Sequence, residues 1–163
     1  MAEIDIDLLR QWIGRRKRCE DRLAPDRAEA VAATLDRGST PEVGDPLPPL
    51  WHWAFFNPKA TLSDLGADGH PKLGGFMPPI PLPRRMWVGG RLRFLAPLRI
   101  GEQAAQVTEI RDITAKAGKS GTLVFATLRH EISGASGVAI IEEQDLVSRE
   151  PTPPARPRSA PEP

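Results

Sequence analysis

Between Val124 and Ile132 the side chains alternate: Val124, Ala126, Leu128, His130 and Ile132 share one side, and Thr127, Arg129 and Glu131 the other. A period of two is the pattern of a strand with one buried and one wet face. The segments around it continue the pattern. Gly134 to Gly137 reads as a turn, and Val138 to Val147 as a returning strand. Upstream, after Arg85, Leu92 and Phe94 alternate with Arg91 and Arg93, and Pro97 to Gly101 makes a turn. Ala104 to Ile113 is a strand with a blurred pattern, and Lys116 to Gly121 is a hairpin connection. The second half of the chain is therefore an antiparallel meander of four strands.

The first half reads differently. Ile4, Leu8 and Trp12 recur at four-residue spacing, so Asp5 to Ile13 is a short amphipathic helix that Gly14 stops. A second helix starts at Pro25, with Asp26 and Glu29 near its amino end. Ala28, Val31, Ala32 and Leu35 form its apolar stripe, and Gly38 closes it. Between the two helices lies Arg15-Arg16-Lys17-Arg18, followed at once by Glu20 and Asp21. This run reads as a solvated helix end, with contact to a phosphate-bearing ligand or a partner as the alternative.

The densest stretch is Pro48-Pro49-Leu50-Trp51-His52-Trp53-Ala54-Phe55-Phe56, set between proline-rich flanks. Apolar nearly all round apart from His52, it suits a buried helical segment that Asn57-Pro58 ends. The residues from there to Pro83 are rich in proline and glycine and have no helical or strand period. A loop of that length in a compact domain is a lid or binding wall, or else disordered; Phe76, Met77, Ile80 and Leu82 argue against disorder. Helices and an aromatic core segment followed by a meander predict an α+β domain in which a curved sheet wraps one helix. Such a sheet leaves an edge and an apolar face for a second unit. The domain is expected over residues 1–150. Residues 151–163, with six prolines and no large apolar side chain, are expected to be a disordered tail or linker.

Composition narrows the function. A net charge of +1 provides no field for nucleic acid or a membrane surface, and the chain has no Tyr to interleave with its basic run. The single Cys19 cannot form an internal disulfide or a zinc site, which fits a reducing compartment. The amino terminus lacks signal-peptide order and no apolar run is long enough to span a bilayer, so a cytoplasmic protein is expected.

The strings GDPLPPLWHWAFF, GHPKLGGFMPPIPLPRRMWVGGRLRF, PLRIGE and RHEI resemble the amino-terminal hot-dog half of the FAS1-like or MaoC-like dehydratases. That group includes mesaconyl-CoA and itaconyl-CoA hydratases and the hydroxyacyl-thioester dehydratases of type 2. The resemblance runs from about Trp12 to Glu150. It implies a hot-dog fold paired with a second hot-dog unit, as a homodimer or heterodimer, and an acyl-CoA thioester as substrate. No cofactor and no metal are expected. In the family the catalytic Asp or Asn and His lie on the second unit, where they serve as acid and base toward water and an α,β-unsaturated thioester. Active halves resemble Gly-Asp-x-Asn-Pro-x-His. In that register this chain keeps Gly44, Asp45 and Pro48 but has Leu47 at the Asn and Leu50 at the His. Neither Leu can move a proton, so no catalytic residue is expected here, and the chain is expected to shape the substrate site.

The candidates for that role are Arg84, Arg85, Trp87, Phe76, Met77, His52 and His70. A guanidinium at Arg84 or Arg85 can grip a CoA phosphate or a dicarboxylic acyl group in two-point fashion, or simply pair with a nearby carboxylate. Phe76, Met77 and Ile80 wall an acyl channel or fill space over the helix. His52 touches substrate or is a hydrogen-bonded His in an aromatic core. His70, in Asp68-Gly69-His70-Pro71, reaches a ligand or belongs to a simple turn. His130 on its strand reads as a satisfied core or interface residue. Three further readings stand beside the hydratase half: a non-catalytic homodimeric thioester-binding or scaffold module, a fragment of a longer enzyme, and, last, a self-sufficient homodimeric hydratase using His52 or His70.

Overall fold

The computed structural model describes residues 4–39, 41–118 and 121–151. Residues 152–163 lie outside it, so the expected tail is not described, and neither are Lys119 and Ser120 of the expected hairpin connection. The element order is α1 (Ile6–Arg10), β1 (Arg16–Arg22), α2 (Pro25–Thr34), β2 (Arg84–Phe94), β3 (Gln103–Gly118), β4 (Gly121–Gly134) and β5 (Gly137–Arg149), with two short 3-10 turns between α2 and β2. The strands form one antiparallel sheet in the order β1-β3-β4-β5-β2.

The meander is as expected from the alternation. On β4, Val124, Ala126, Leu128, His130 and Ile132 are buried and the residues between them are half-buried. The β4–β5 turn closes at Gly134 and Gly137. Gly137, at φ 100, takes a conformation that a side chain would strain. The blurred pattern of β3 has a local cause. Its pairing with β4 slips between Ile110 and Asp112, so the buried set changes phase from Thr108 and Ile110 to Ile113. One extra residue in a strand does this.

Three expectations change. The run Arg15 to Arg18 is not a helix end: Arg16–Arg22 is a fifth strand, pairing Lys17 with Thr108 and Cys19 with Gln106 at the sheet's edge. Its charges hid it, because an edge strand solvated on one side tolerates Arg and Glu at most positions. Arg16 pairs with Glu109 across the ladder, and Arg27 reaches Asp21. Nor is Leu50–Phe56 the helix that the sheet wraps. Only Trp51–Ala54 is helical, as one 3-10 turn, and it is α2 at one end and α1 at the other that pack on the sheet. Leu50 at φ 72 and Phe56 at φ 58 bracket that turn in the left-handed region, where a longer helix cannot continue. The first helix is also shorter than its stripe, five residues capped by the Asp5 carboxylate, which accepts from the Leu8 N–H at 2.9 Å.

The buried face is covered in two halves. At one end α2 lays Ala28 and Ala32, with Trp51, Phe55 and Phe56, over Ile100, Ile132 and Ile140. At the other, Leu9 of α1 and the loop residues Ile80 and Leu82 cover Ile110, Ile113, Val124 and Leu128, with Phe76 and Met77 packed against them. The long loop is thus tied down by its apolar side chains, each fully buried Leu or Ile contributing about 1.5–3 kcal/mol.

Candidate functional site

A row of polar residues crosses the sheet between the two apolar halves. Lys17 of β1 faces Thr108 of β3, Thr108 faces His130 of β4, and His130 faces Glu142 of β5. The parallel row one step along is Cys19, Gln106, Ile132 and Ile140. Four strands thus bring to one line side chains that lie far apart in sequence, and above that line the two covering layers part around a cavity of about 490 Å³.

The polar groups of the floor are buried and nearly all paired. Oε2 of Glu142 lies 3.1 Å from Nε2 of His52, and its Oε1 accepts from Trp53 Nε1 at 3.0 Å and Gln144 Nε2 at 2.8 Å. Burial pushes the Glu142 carboxyl up, but the hydrogen bonds from His52, Gln144 and Trp53 outweigh it and hold the group below its ordinary range. Nδ1 of His130 lies 2.9 Å from the Thr108 hydroxyl. Burial lowers the pKa of His130, so the imidazole is neutral near pH 7. Nε2 of His130 and Nδ1 of His52 are buried without a partner among the described residues.

Six of the seven sequence candidates come together here. His52, His70, Phe76, Met77, Arg85 and Trp87 all line the cavity. Arg84 does not; it is exposed at the start of β2. Arg85 is partnered, donating from Nη2 to Asp68 at 2.8 Å, and so ties the Asp68–Pro71 loop to the sheet. Phe76 and Met77 fill space and wall the cavity at once. His52 is both a core residue, 2% exposed, and a lining residue. The alternation placed His130 on the buried face, but its free nitrogen and its place in the row are tertiary facts. Glu142 and Gln144 gave no signal either, since a carboxylate in a strand usually faces water.

The stretch from Gly44 to Leu50 lies elsewhere. Pro46, Leu47, Pro48 and Pro49 line a separate groove against Phe94 and Pro97. Asp45 accepts from the Glu42 N–H at 2.9 Å, a turn contact. None of these residues lines the larger cavity. Among the described residues no cluster of His, Cys, Asp and Glu could hold a metal, and no helix is long and apolar enough to cross a membrane.

The sequence matches the family model of hydroxyacyl-thioester dehydratase type 2 over residues 50–163. It is 52% identical over 141 residues to a mesaconyl-C(4)-CoA hydratase of Chloroflexus aurantiacus, a match covering 86% of this chain and 50% of that protein. The chain therefore spans about half the length of the curated relative. Among solved structures, the ChsH1-ChsH2 complex from Mycobacterium tuberculosis aligns with a TM-score of 0.63 at 13% identity, over 90% of this chain and 96% of that one. The sheet order and this likeness are those of the hot-dog fold.

Proposed function

Because the chain belongs to the hydroxyacyl-thioester dehydratase type 2 family, we propose that it is the substrate-shaping half of a hydratase that adds water to, or removes it from, an α,β-unsaturated acyl-CoA thioester. In this reading residues 1–150 are one hot-dog unit and 151–163 a tail or linker, and a second hot-dog unit supplies the acid and base. The name of the curated relative makes mesaconyl-C(4)-CoA, a thioester of a dicarboxylic acid, the first substrate to test.

The observation that carries the reading is a separation. The cavity is of a size to take a short acyl group and is walled by Phe76, Met77, Leu128 and Leu146. The register in which active halves carry Asn and His has Leu47 and Leu50, neither of which lines that cavity. A binding space is present; the usual proton carriers are not. Acid–base side chains supply about 10²–10⁴ of rate, so a half without them should be nearly inert alone.

The chain's own residues hold and shield. Phe76 and Met77 exclude water from the acyl group, Arg85 fixes the loop that carries His70, and the Glu142 network keeps His52 and Trp53 in place beneath it. To test this, loss of the enoyl-thioester absorbance is followed with the chain alone, with a second hot-dog unit that carries the acid and base alone, and with the two mixed. Turnover is expected only in the mixture, or many-fold faster there. A second unit whose rate is unchanged by this chain contradicts the proposal.

A further inference from the structure

The charged groups of the cavity are unevenly committed. Glu142 uses both oxygens on His52, Trp53 and Gln144, and Arg85 is held by Asp68. Lys17 and Lys72 also line the cavity, and neither takes part in an ion pair among the described residues. A lysine on an edge strand is usually a solvated guard against strand pairing. Lys17 is exposed like its neighbours on the strand, but its ammonium lies over the Phe76 ring at the cavity rim, 4.8 Å from the centroid, and desolvation lowers its pKa.

Two strands in from Lys17 along the polar row is His130, 8% exposed. Nε2 of His130 has no partner among the described residues; the Thr108 hydroxyl can either donate to Nδ1 or accept from it, and in the tautomer in which it donates the neutral ring carries its hydrogen on Nε2. Gln144, alongside, donates its amide nitrogen to Glu142, and its side-chain oxygen does not meet hydrogen-bond geometry with Nε2. A buried donor without an acceptor is costly, and an incoming acceptor relieves that cost. An ammonium at the rim and an unspent N–H on the floor of a space walled by Phe76, Met77 and Leu128 describe a place for a small planar anion on a short apolar stem.

We propose that Lys17 and His130 form a carboxylate subsite, which selects acyl thioesters bearing a free carboxylate at the far end of the acyl chain. Lys17 supplies the charge and His130 Nε2–H the directed hydrogen bond. The inference rests on reading this cavity as the acyl site.

Succinyl-CoA and butyryl-CoA make a matched pair, with acyl groups of equal length that differ in the terminal carboxylate. Neither has a double bond to hydrate, so the comparison is independent of turnover. With the protein in its native assembly, the fluorescence of Trp53 and Trp87, both in the cavity wall, reports the two affinities. Succinyl-CoA is expected to bind at least about tenfold more tightly, as a charge-assisted hydrogen bond provides. Lys17→Met is expected to bring the two affinities together. In the unmodified protein the His130 ring nitrogen resonance should move with succinyl-CoA and not with butyryl-CoA. Equal affinities, no binding of succinyl-CoA, or a preference untouched by Lys17→Met overturns the subsite. Preference retained in a protein that hydrates no thioester with any second unit would overturn the hydratase reading and leave the subsite standing.

Discussion

Nε2 of His52 lies 3.1 Å from Oε2 of Glu142, both residues being almost wholly buried and 90 positions apart in sequence. This contact joins the aromatic turn to the floor of the sheet. Trp53, the residue after His52, donates to the other oxygen of the same carboxylate, so one Glu holds two consecutive residues of the turn.

Glu142→Ala removes the acceptor for three buried or half-buried donors at once. Breaking a buried pair by deleting one partner costs about 3–5 kcal/mol. In a protein of this size that lowers the melting temperature by about 6–20 °C. Thermal unfolding checks it; a variant melting within about 2 °C of the parent would contradict the role given to Glu142.

Two buried groups of the row make the fold sensitive to acid. The His130 pKa is lowered by burial from about 6.5, so below that pH the unfolded chain takes up a proton that the folded chain resists. Stability from this residue is complete above about 6.5 and is lost as the pH falls from there toward the folded value. Glu142 is lowered from about 4.5, so its contribution is complete above 4.5 and is lost at more acid pH. Urea midpoints should fall between pH 7.5 and 5.5 in the parent and fall less in His130→Gln. Equal slopes over that window contradict the assignment to His130.

Leu50 holds a left-handed conformation, φ 72, with its side chain 43% exposed. Such a residue costs about 1–2 kcal/mol of strain, and the extra freedom of an unfolded Gly costs about 0.5–1. Leu50→Gly is therefore expected to stabilise the protein by under about 1 kcal/mol, a rise of at most about 2–4 °C in melting temperature. A fall would mean that the Leu50 side chain contributes more than its exposure suggests.

The meander was legible because burial on one face of β4 imposes a period of two that the residues obey, including His130. β1 was not, because an edge strand with one solvated side has no apolar period to detect, and Arg16 to Arg18 resemble any charged surface. The aromatic turn has the composition of a helix but two backbone reversals that composition does not carry. Of the cavity, the loop side could be anticipated from apolar residues where solvated loops have few. The floor could not, since Lys17, Thr108, His130 and Glu142 meet only through the registers of four strands.

All three histidines of the chain, His52, His70 and His130, line the cavity, yet the account has none of them transferring a proton. The direct test is kcat for hydration of mesaconyl-C(4)-CoA by the native assembly, with each replaced in turn by Gln and measured well below the variant's melting temperature. The account predicts changes mainly in KM, with kcat falling less than about tenfold. A loss of about 10²–10⁴ in kcat with KM little changed, as removal of an acid or base produces, would place the chemistry in this chain and contradict it.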